Sequence, residues 1–546
     1  MPLRLRNAGQ SRLNRRSFLA AGMACGLAPA VSLSADRTSA DVPAFELDEA
    51  TIAGLQEGMT SGKYSARSLA EKYLARIEAI DRRGPTLRSV IELNPEGLAI
   101  ADALDKERKA KGPRGPLHGI PVLIKDNIDT ADKMATTAGS LAMVGSKPAK
   151  DAFLVARLRQ AGAVILGKTN LSEWANARCS YSTSGWSGRG GQTRNPYALD
   201  RNPCGSSSGS CVAVAANLCA VAVGTETDGS VTAPSSVNGL VGVKPTVGLI
   251  SRTGIIPISR SQDTAGPVAR TVRDAAVLLG VLAGIDKDDL ATADAKGHIE
   301  SDYTKFLDAD GLKGAKIGIA RNFFGFHDGV DYVTLAAVTK LKKQGAILFD
   351  TTELPNSGDF TDAEKTVLHY EMKAGLNAYL FRLGVKSPLL TVADVLAFND
   401  QNSDKELPYF GQDTFQTMAS SGPLTSYEYQ EALAKCRRIT RTEGLDAALD
   451  VYKLDCVVAA TLGPACPIDL VNGDHWLGGD LISVAAVAGY PHVTVPMGFW
   501  YGLPLGLSFV GRPWSEPTLL KLAYAFEQAA KARKPPRFLP TVDLKM

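Results

Sequence analysis

Short apolar runs alternate with helical stretches along most of this chain, and that alternation narrows its fold more than any other feature. The runs cover residues 89–93, 120–124, 163–166 and 220–223, then 316–320, 346–349, 456–460, 492–495 and 505–510. Each is too short for a stable helix and long enough for a buried strand. Between them lie helical patterns at 95–111, 152–161, near 332–343 and at 515–532. Ahead of them, residues 48–82 read as two helices, the second aligning Leu69, Tyr73, Leu74, Ile77 and Ile80. Strands interleaved with helices predict an α/β layered fold. The chain shows no internal repeat and no long low-complexity linker. Residues 181–210 depart from the pattern, being dense in serine, threonine and glycine. Such a segment builds no regular core; it is either a surface loop or a place where backbone N–H groups approach a ligand. Residues 353–430 are the least patterned and, with residues 472–480, are expected to form the walls of a substrate pocket.

With 546 residues, 45% hydrophobic and 21% charged, the chain has ample material for a core. Its formal charge of +3 is uneven, because Arg4, Arg6, Arg12, Arg15 and Arg16 precede the first acidic residue. Without residues 1–35 the balance is about −2, which calls for no nucleic-acid partner. Asn14-Arg15-Arg16-Ser17-Phe18-Leu19 leads into an apolar stretch over 18–33 that is short for a membrane span. Residues 1–35 therefore resemble a twin-arginine export signal, cleaved near Ala28-Pro29-Ala30 or Ser32-Leu33-Ser34. An uncleaved anchor is the alternative. The expected protein is periplasmic or secreted, with no stable membrane association once the signal is gone. Gly22 and Met23 make Cys25 a poor lipidation site. The other seven cysteines are odd in number and include no Cys-x-x-Cys pair, so neither a disulfide framework nor a cysteine zinc site is expected. Nothing in the sequence asks for a cofactor or a metal.

Two motifs match familiar patterns in the wrong context. Gly162-Ala163-Val164-Ile165-Leu166-Gly167-Lys168-Thr169 has the letters of a phosphate loop, but its intervening residues are themselves a strand pattern. Gly205-Ser206-Ser207-Ser208-Gly209 has the letters of a nucleophile elbow, yet Pro196 and Pro203 precede it where a strand is required. No Ser-x-x-Lys occurs.

A nucleophilic serine still needs a base within hydrogen-bond reach. None of the six histidines lies beside a serine-rich turn. Lysine can serve if burial lowers its pKa enough to leave a neutral amine. Lys125 suits this role, closing the run 120–124 ahead of Asp126 and Asn127.

Three separated segments then carry a resemblance. They are Gly119-Ile120-Pro121-Val122-Leu123-Ile124-Lys125-Asp126-Asn127, Pro203-Cys204-Gly205-Ser206-Ser207-Ser208-Gly209-Ser210, and Gly224-Thr225-Glu226-Thr227-Asp228-Gly229-Ser230. Together they resemble the amidase signature family, with a signature core near residues 120–270 and one amidase domain over 41–546. Residues 167–176 and 259–267 look closest to its bacterial peptide amidase branch. The resemblance implies a mixed central sheet covered by helices on both faces. It also implies a triad: Lys125 as base, Ser206 in a cis peptide as relay and Ser230 as nucleophile. Ser206 and Ser230 keep the family's spacing of 24 residues. The backbone N–H groups of Thr227, Asp228, Gly229 and Ser230 would form the oxyanion hole, and no cofactor or metal is implied.

This sequence departs from the commonest family pattern at Cys204 and Asp228, both in place of glycine. A carboxylate beside a developing oxyanion would raise the barrier unless its side chain points away. The implied activity is hydrolysis of a small-molecule or peptide amide, with C-terminal peptide amides favoured. Alternatives are an aryl acylamidase acting on anilides, the A subunit of a tRNA-dependent amidotransferase, and a periplasmic protein that binds amides without turnover. Oligomeric state is not legible.

Overall fold

The computed structural model describes residues 42–384 and 389–544. The expected export signal and Cys25 lie outside the described residues. Eleven strands form one mixed sheet: β1 (Val90–Leu93), β2 (Pro121–Lys125), β3 (Val164–Thr169), β6 (Val221–Glu226), β7 (Val241–Lys244), β8 (Thr264–Ala269), β9 (Lys316–Ala320), β10 (Ile347–Thr352), β11 (Cys456–Ala460), β12 (His492–Trp500) and β13 (Leu503–Val510). A separate ribbon pairs β4 (Trp186–Ser187) with β5 (Gly191–Gln192). The order across the sheet is β1-β3-β2-β6-β8-β7-β12-β13-β11-β9-β10. Pairing is parallel through β3-β2-β6 and again through β11-β9-β10, and antiparallel elsewhere.

Every residue of β2, β3, β6, β7, β8 and β13 is buried. Successive side chains of a strand point to opposite faces, so unbroken burial requires cover on both. That cover is helical, drawn from α1 (Ala66–Arg76), α2 (Gly97–Lys111), α3 (Phe153–Gln160), α4 (Ser208–Ala215), α5 (Thr232–Val237), α6 (Val272–Leu282), α7 (Asp328–Lys343), α10 (Asp480–Ala488) and α11 (Glu516–Ala530), while α8 (Thr361–Arg382) and α9 (Tyr427–Arg437) pack on each other and α9 on α10. Local chemistry starts several of them. Ser65 and Ser68 form a reciprocal capping box at α1, and the Thr271 hydroxyl caps α6. α4 is buried all round, which its run of small residues permits at the centre of the molecule. Among the described residues no helix is long and apolar enough to cross a membrane.

The phosphate-loop letters fall in a strand, since β3 runs through Gly167 to Thr169. Lys168 is buried there and donates to the Ile128 carbonyl (2.7 Å) and Thr136 Oγ1 (2.9 Å). Its role is structural, and burial holds its pKa below the usual lysine value.

Two central strands, β7 and β8, escape a reading of apolar runs. Gly266 and Pro267 interrupt β8, and proline in a strand normally argues against a central place. The ladder from β8 to β7 holds only Val241↔Ala269 and Gly242↔Val268, so on that flank Pro267 deprives no pair of its donor. Gly266 is required by crowding, because a Cβ there would lie 2.1 Å from the Val243 carbonyl oxygen. Gly266→Ala is expected to destabilise the fold by about 1–3 kcal/mol, read as a lower thermal midpoint. A midpoint equal to that of the unsubstituted protein would refute this packing argument.

Residues 353–430 are largely helical, with α8 the longest element. Glu364 and Glu371 are buried on the inner face of α8 and break the apolar stripe that would have announced it.

Candidate active site

The C-terminal ends of β2 and β6 lie side by side in parallel, and each delivers part of the site. Lys125 is the last residue of β2 and is fully buried. Its Nζ lies 2.7 Å from Ser206 Oγ, 2.9 Å from Thr225 Oγ1 and 3.2 Å from the Thr225 carbonyl. All three partners are neutral oxygens. A buried ammonium with no anion against it is poorly solvated, and burial pulls the pKa of Lys125 down to about 7. Cys211, Asp263 and Glu226 oppose that shift from a distance. Asn127 donates to Thr225 Oγ1 at 3.0 Å and fixes that hydroxyl beside the amine.

Ser206 follows a cis peptide bond with Gly205 and is fully buried. The turn carrying it is tightly packed: a Cβ on Gly205 would lie 2.1 Å from Ser172 Oγ, and one on Gly209 would lie 2.3 Å from the Ser89 carbonyl. The Ser206 carbonyl accepts from the Ser172 N–H (3.1 Å), and Ser208 Oγ donates to the Cys204 carbonyl (2.6 Å). Cys204 has φ of 60°, in the left-handed region that favours glycine. Its thiol is buried and pushed well above the ordinary cysteine range by desolvation, so it offers no thiolate.

Ser230 sits in the turn between β6 and α5. The Glu226 carboxylate shapes this turn by accepting from the N–H groups of Val231 (2.8 Å) and Thr232 (2.9 Å). The Ser230 carbonyl accepts from the Ser207 N–H at 3.1 Å, and Ser207 Oγ donates to the Thr225 carbonyl at 3.0 Å. These bonds hold the two serine turns back to back. Asp263 supports the turn from behind: it accepts from Thr227 Oγ1 (2.5 Å) and from the N–H groups of Ile258 and Ser259 (each 2.8 Å). Among the described residues, none of the N–H groups of Thr227, Asp228, Gly229 and Ser230 donates to a protein acceptor. Four successive unpaired donors on one turn form a ready receptor for an anionic oxygen.

These donors line a cavity of about 450 Å³ that includes Ser230 but neither Ser206 nor Lys125. The order from solvent inward is therefore cavity, Ser230, then the buried Ser206 and Lys125. Ala175, Asn176 and Ala177 form one wall, and Trp174, Ala175 and Asn176 all have positive φ. Asp474, Trp476, Gly478 and Gly479 form another, and Ser357 and Leu368 bring in the segment read as a substrate wall. The Asp474 carboxylate is held by the Ser184 N–H (3.0 Å), Ser184 Oγ (2.5 Å) and Asn202 Nδ2 (2.8 Å), while burial raises its pKa. The lining contains Asp228, Asp474 and Asp480 but no lysine, arginine or histidine. Among the described residues no cluster of histidine, cysteine, aspartate or glutamate could hold a metal ion.

The residues expected from sequence thus lie together, Lys125 at the end of β2 and the others on two adjoining turns. Sequence reasoning did not single out Thr225, Ser207, Asp263, Asp474 or Ser483. Thr225, Ser207 and Asp263 lie inside the quoted motifs, which is the signal that could have found them. Asp474 and Ser483 come from segments without one.

A profile of the family described as Amidase matches residues 68–520. A protein of Arabidopsis thaliana described as "probable amidase" is 43% identical over 91% of this chain and 93% of its own length. The A subunit of a glutamyl-tRNA(Gln) amidotransferase from Chloroflexus aurantiacus is 34% identical over 88% of this chain and 97% of its own. Among solved structures, the native peptide amidase from Stenotrophomonas maltophilia superimposes with a TM-score of 0.86 at 52% identity, covering 91% of this chain and 100% of that one.

Proposed function

We propose that this chain, which belongs to the amidase signature family, hydrolyses C-terminal amides of peptides through an acyl-enzyme on Ser230. The observation that carries the reading is the buried contact between Lys125 Nζ and Ser206 Oγ, at the foot of a turn with four unpaired N–H groups. A neutral amine has two protons to donate and one lone pair. Lys125 has three oxygen neighbours, so it can donate to the two Thr225 oxygens and accept the Ser206 proton. Ser206 in turn takes the proton of Ser230 as Ser230 Oγ bonds to the substrate carbonyl carbon. The carbonyl electrons move to oxygen, where the N–H groups of residues 227–230 receive the charge; one such donor is worth about 3–4 kcal/mol. The C–N bond then breaks, ammonia leaves with the proton returned through Ser206, and water repeats the sequence to release the acid.

One feature supports a peptide among amides, and a second supports an amidated C-terminus over a free one. The chain is similar to a peptide amidase over nearly its whole length, and the cavity wall repels carboxylates. A peptide ending in a free carboxylate would meet Asp228, Asp474 and Asp480 with no compensating cation. The same repulsion assists departure of the product acid. The likeness to the amidotransferase protein is lower, at 34% identity. Export to the periplasm is part of the proposal and rests on the twin-arginine-type sequence around Arg15 and Arg16.

Purified protein assayed against peptide amides, simple primary amides and anilides tests the substrate class. Peptide amides should give the highest kcat/KM; a preference for anilides would replace this reading with an aryl acylamidase. The pH dependence follows from Lys125, whose amine becomes available as pH rises. The kcat/KM profile should therefore climb through an apparent pKa of about 7. Activity that stays level between pH 5 and 9 would exclude a lysine base in this environment.

A further inference from the structure

Asp228 stands beside the oxyanion donors, where a free carboxylate would oppose the charge that develops. Its surroundings show how the molecule accommodates it. Asp228 Oδ2 accepts from Ser483 Oγ of α10 at 2.8 Å. Its carboxyl lies against that of Glu364 on α8, near enough for each to shift the other. Glu364 is buried, and its Oε1 accepts from Gln262 Nε2 at 2.9 Å, while the same Nε2 reaches the Thr227 carbonyl at 3.4 Å. Two carboxyl groups can hydrogen-bond to each other only if they hold a proton between them.

We propose that Glu364 is a positioning residue, sharing one proton with Asp228 so that the oxyanion turn is fastened to α8 and carries one negative charge instead of two. The inference rests on the amide-hydrolase reading and adds a residue to it. With the proton present, Glu364 donates to the Asp228 carboxylate, which also accepts from Ser483 and is thereby held. Loss of that proton sets two like charges against each other beside the site of the developing oxyanion.

The groups facing the pair favour retention of the proton. Glu226 on β6 adds negative charge, and Lys244 on β7 offsets part of it. Lys365 is the cation beside Glu364, and the Cys436 thiol of α9 is neutral in its environment. Burial, with the paired carboxylate next, lifts Glu364 well above the usual carboxylate range, and burial lifts Asp228 to about 6. Both shifts act on the pair as a unit. The pair therefore holds its proton to a higher pH than a solvated carboxyl would, and activity should fall once rising pH removes it.

The experiment is the pH profile of kcat for the intact protein, Glu364→Gln and Asp228→Asn, using a peptide amide. The wild type should show two limbs: a rise near pH 7 from Lys125 and an alkaline fall from the pair. Glutamine keeps the shape and can donate its amide to Asp228, so a purely structural role would leave the profile unaltered. The proposal expects both variants to keep the acid limb and lose the alkaline fall. An alkaline fall that persists in either folded variant, or its absence from the wild type, overturns the proposal. Should Glu364→Gln fail to fold, as shown by circular dichroism, the Asp228→Asn profile decides by the same criterion. Failure of the lysine reading is separable, because it would remove the acid limb and leave the alkaline one.

Discussion

Ser230→Ala should lower kcat by about 10⁴-fold or more while leaving the thermal midpoint close to that of the unsubstituted protein. The loss is large because the other hydroxyls lining the cavity, those of Ser184, Thr227, Ser357 and Ser483, each donate to an aspartate. Ser206 is fully buried behind the cavity and bound to Lys125, and Cys204 is held as a neutral thiol. The fold should tolerate the change because Ser230 is fixed through its backbone, with its carbonyl accepting from Ser207. Steady-state rates and a thermal melt, run side by side, separate the two effects. Turnover within about tenfold of the unsubstituted enzyme would show that the nucleophile lies elsewhere.

The second large effect belongs to Lys125. Lys125→Ala should cost about 10²-fold or more in kcat/KM, the range expected of a positioned general base, and should abolish the climb near pH 7. Lys125→Arg makes a sharper probe, since it keeps a cation but cannot supply a neutral nitrogen at any working pH. It should be as inactive as the alanine variant. Equal activity of the arginine and lysine forms would mean that the position contributes positive charge alone. The sign follows from the lowered pKa: protonation below about 7 removes the base, so the wild-type rate falls as pH falls.

Much of this site is legible in the sequence because its chemistry sits in short contiguous motifs. Lys125 ends an apolar run that becomes β2, and the two serine turns sit just before α4 and just after β6. Folding brings them together because β2 and β6 are parallel neighbours, a relation no local pattern reports. Cys204 and Asp228 stood out as departures from glycine, and the structure gives each a different account. Cys204 takes the positive φ that glycine would have supplied, whereas Asp228 is engaged by Ser483 and Glu364. Glu364 was invisible because a buried glutamate on a long helix reads as a solvated face. The cavity walls were legible only as segments: Asp474 and Trp476 fall within 472–480 and Asn176 within 167–176, but nothing local says which of their side chains face the cavity. Of the fold, β7 and β8 were lost to their glycine and proline content, while the flanking strands followed their apolar runs.

The central claim is that Ser230 carries the acyl group and that Lys125 activates it through Ser206. Its most direct test is covalent: the protein is incubated with a serine-directed fluorophosphonate, and the site of attachment is read by intact mass and peptide mapping. The account predicts one equivalent of label on Ser230, with labelling faster above pH 7 and absent from Ser230→Ala. Label on Ser206, or undiminished labelling of Ser230→Ala, would contradict it.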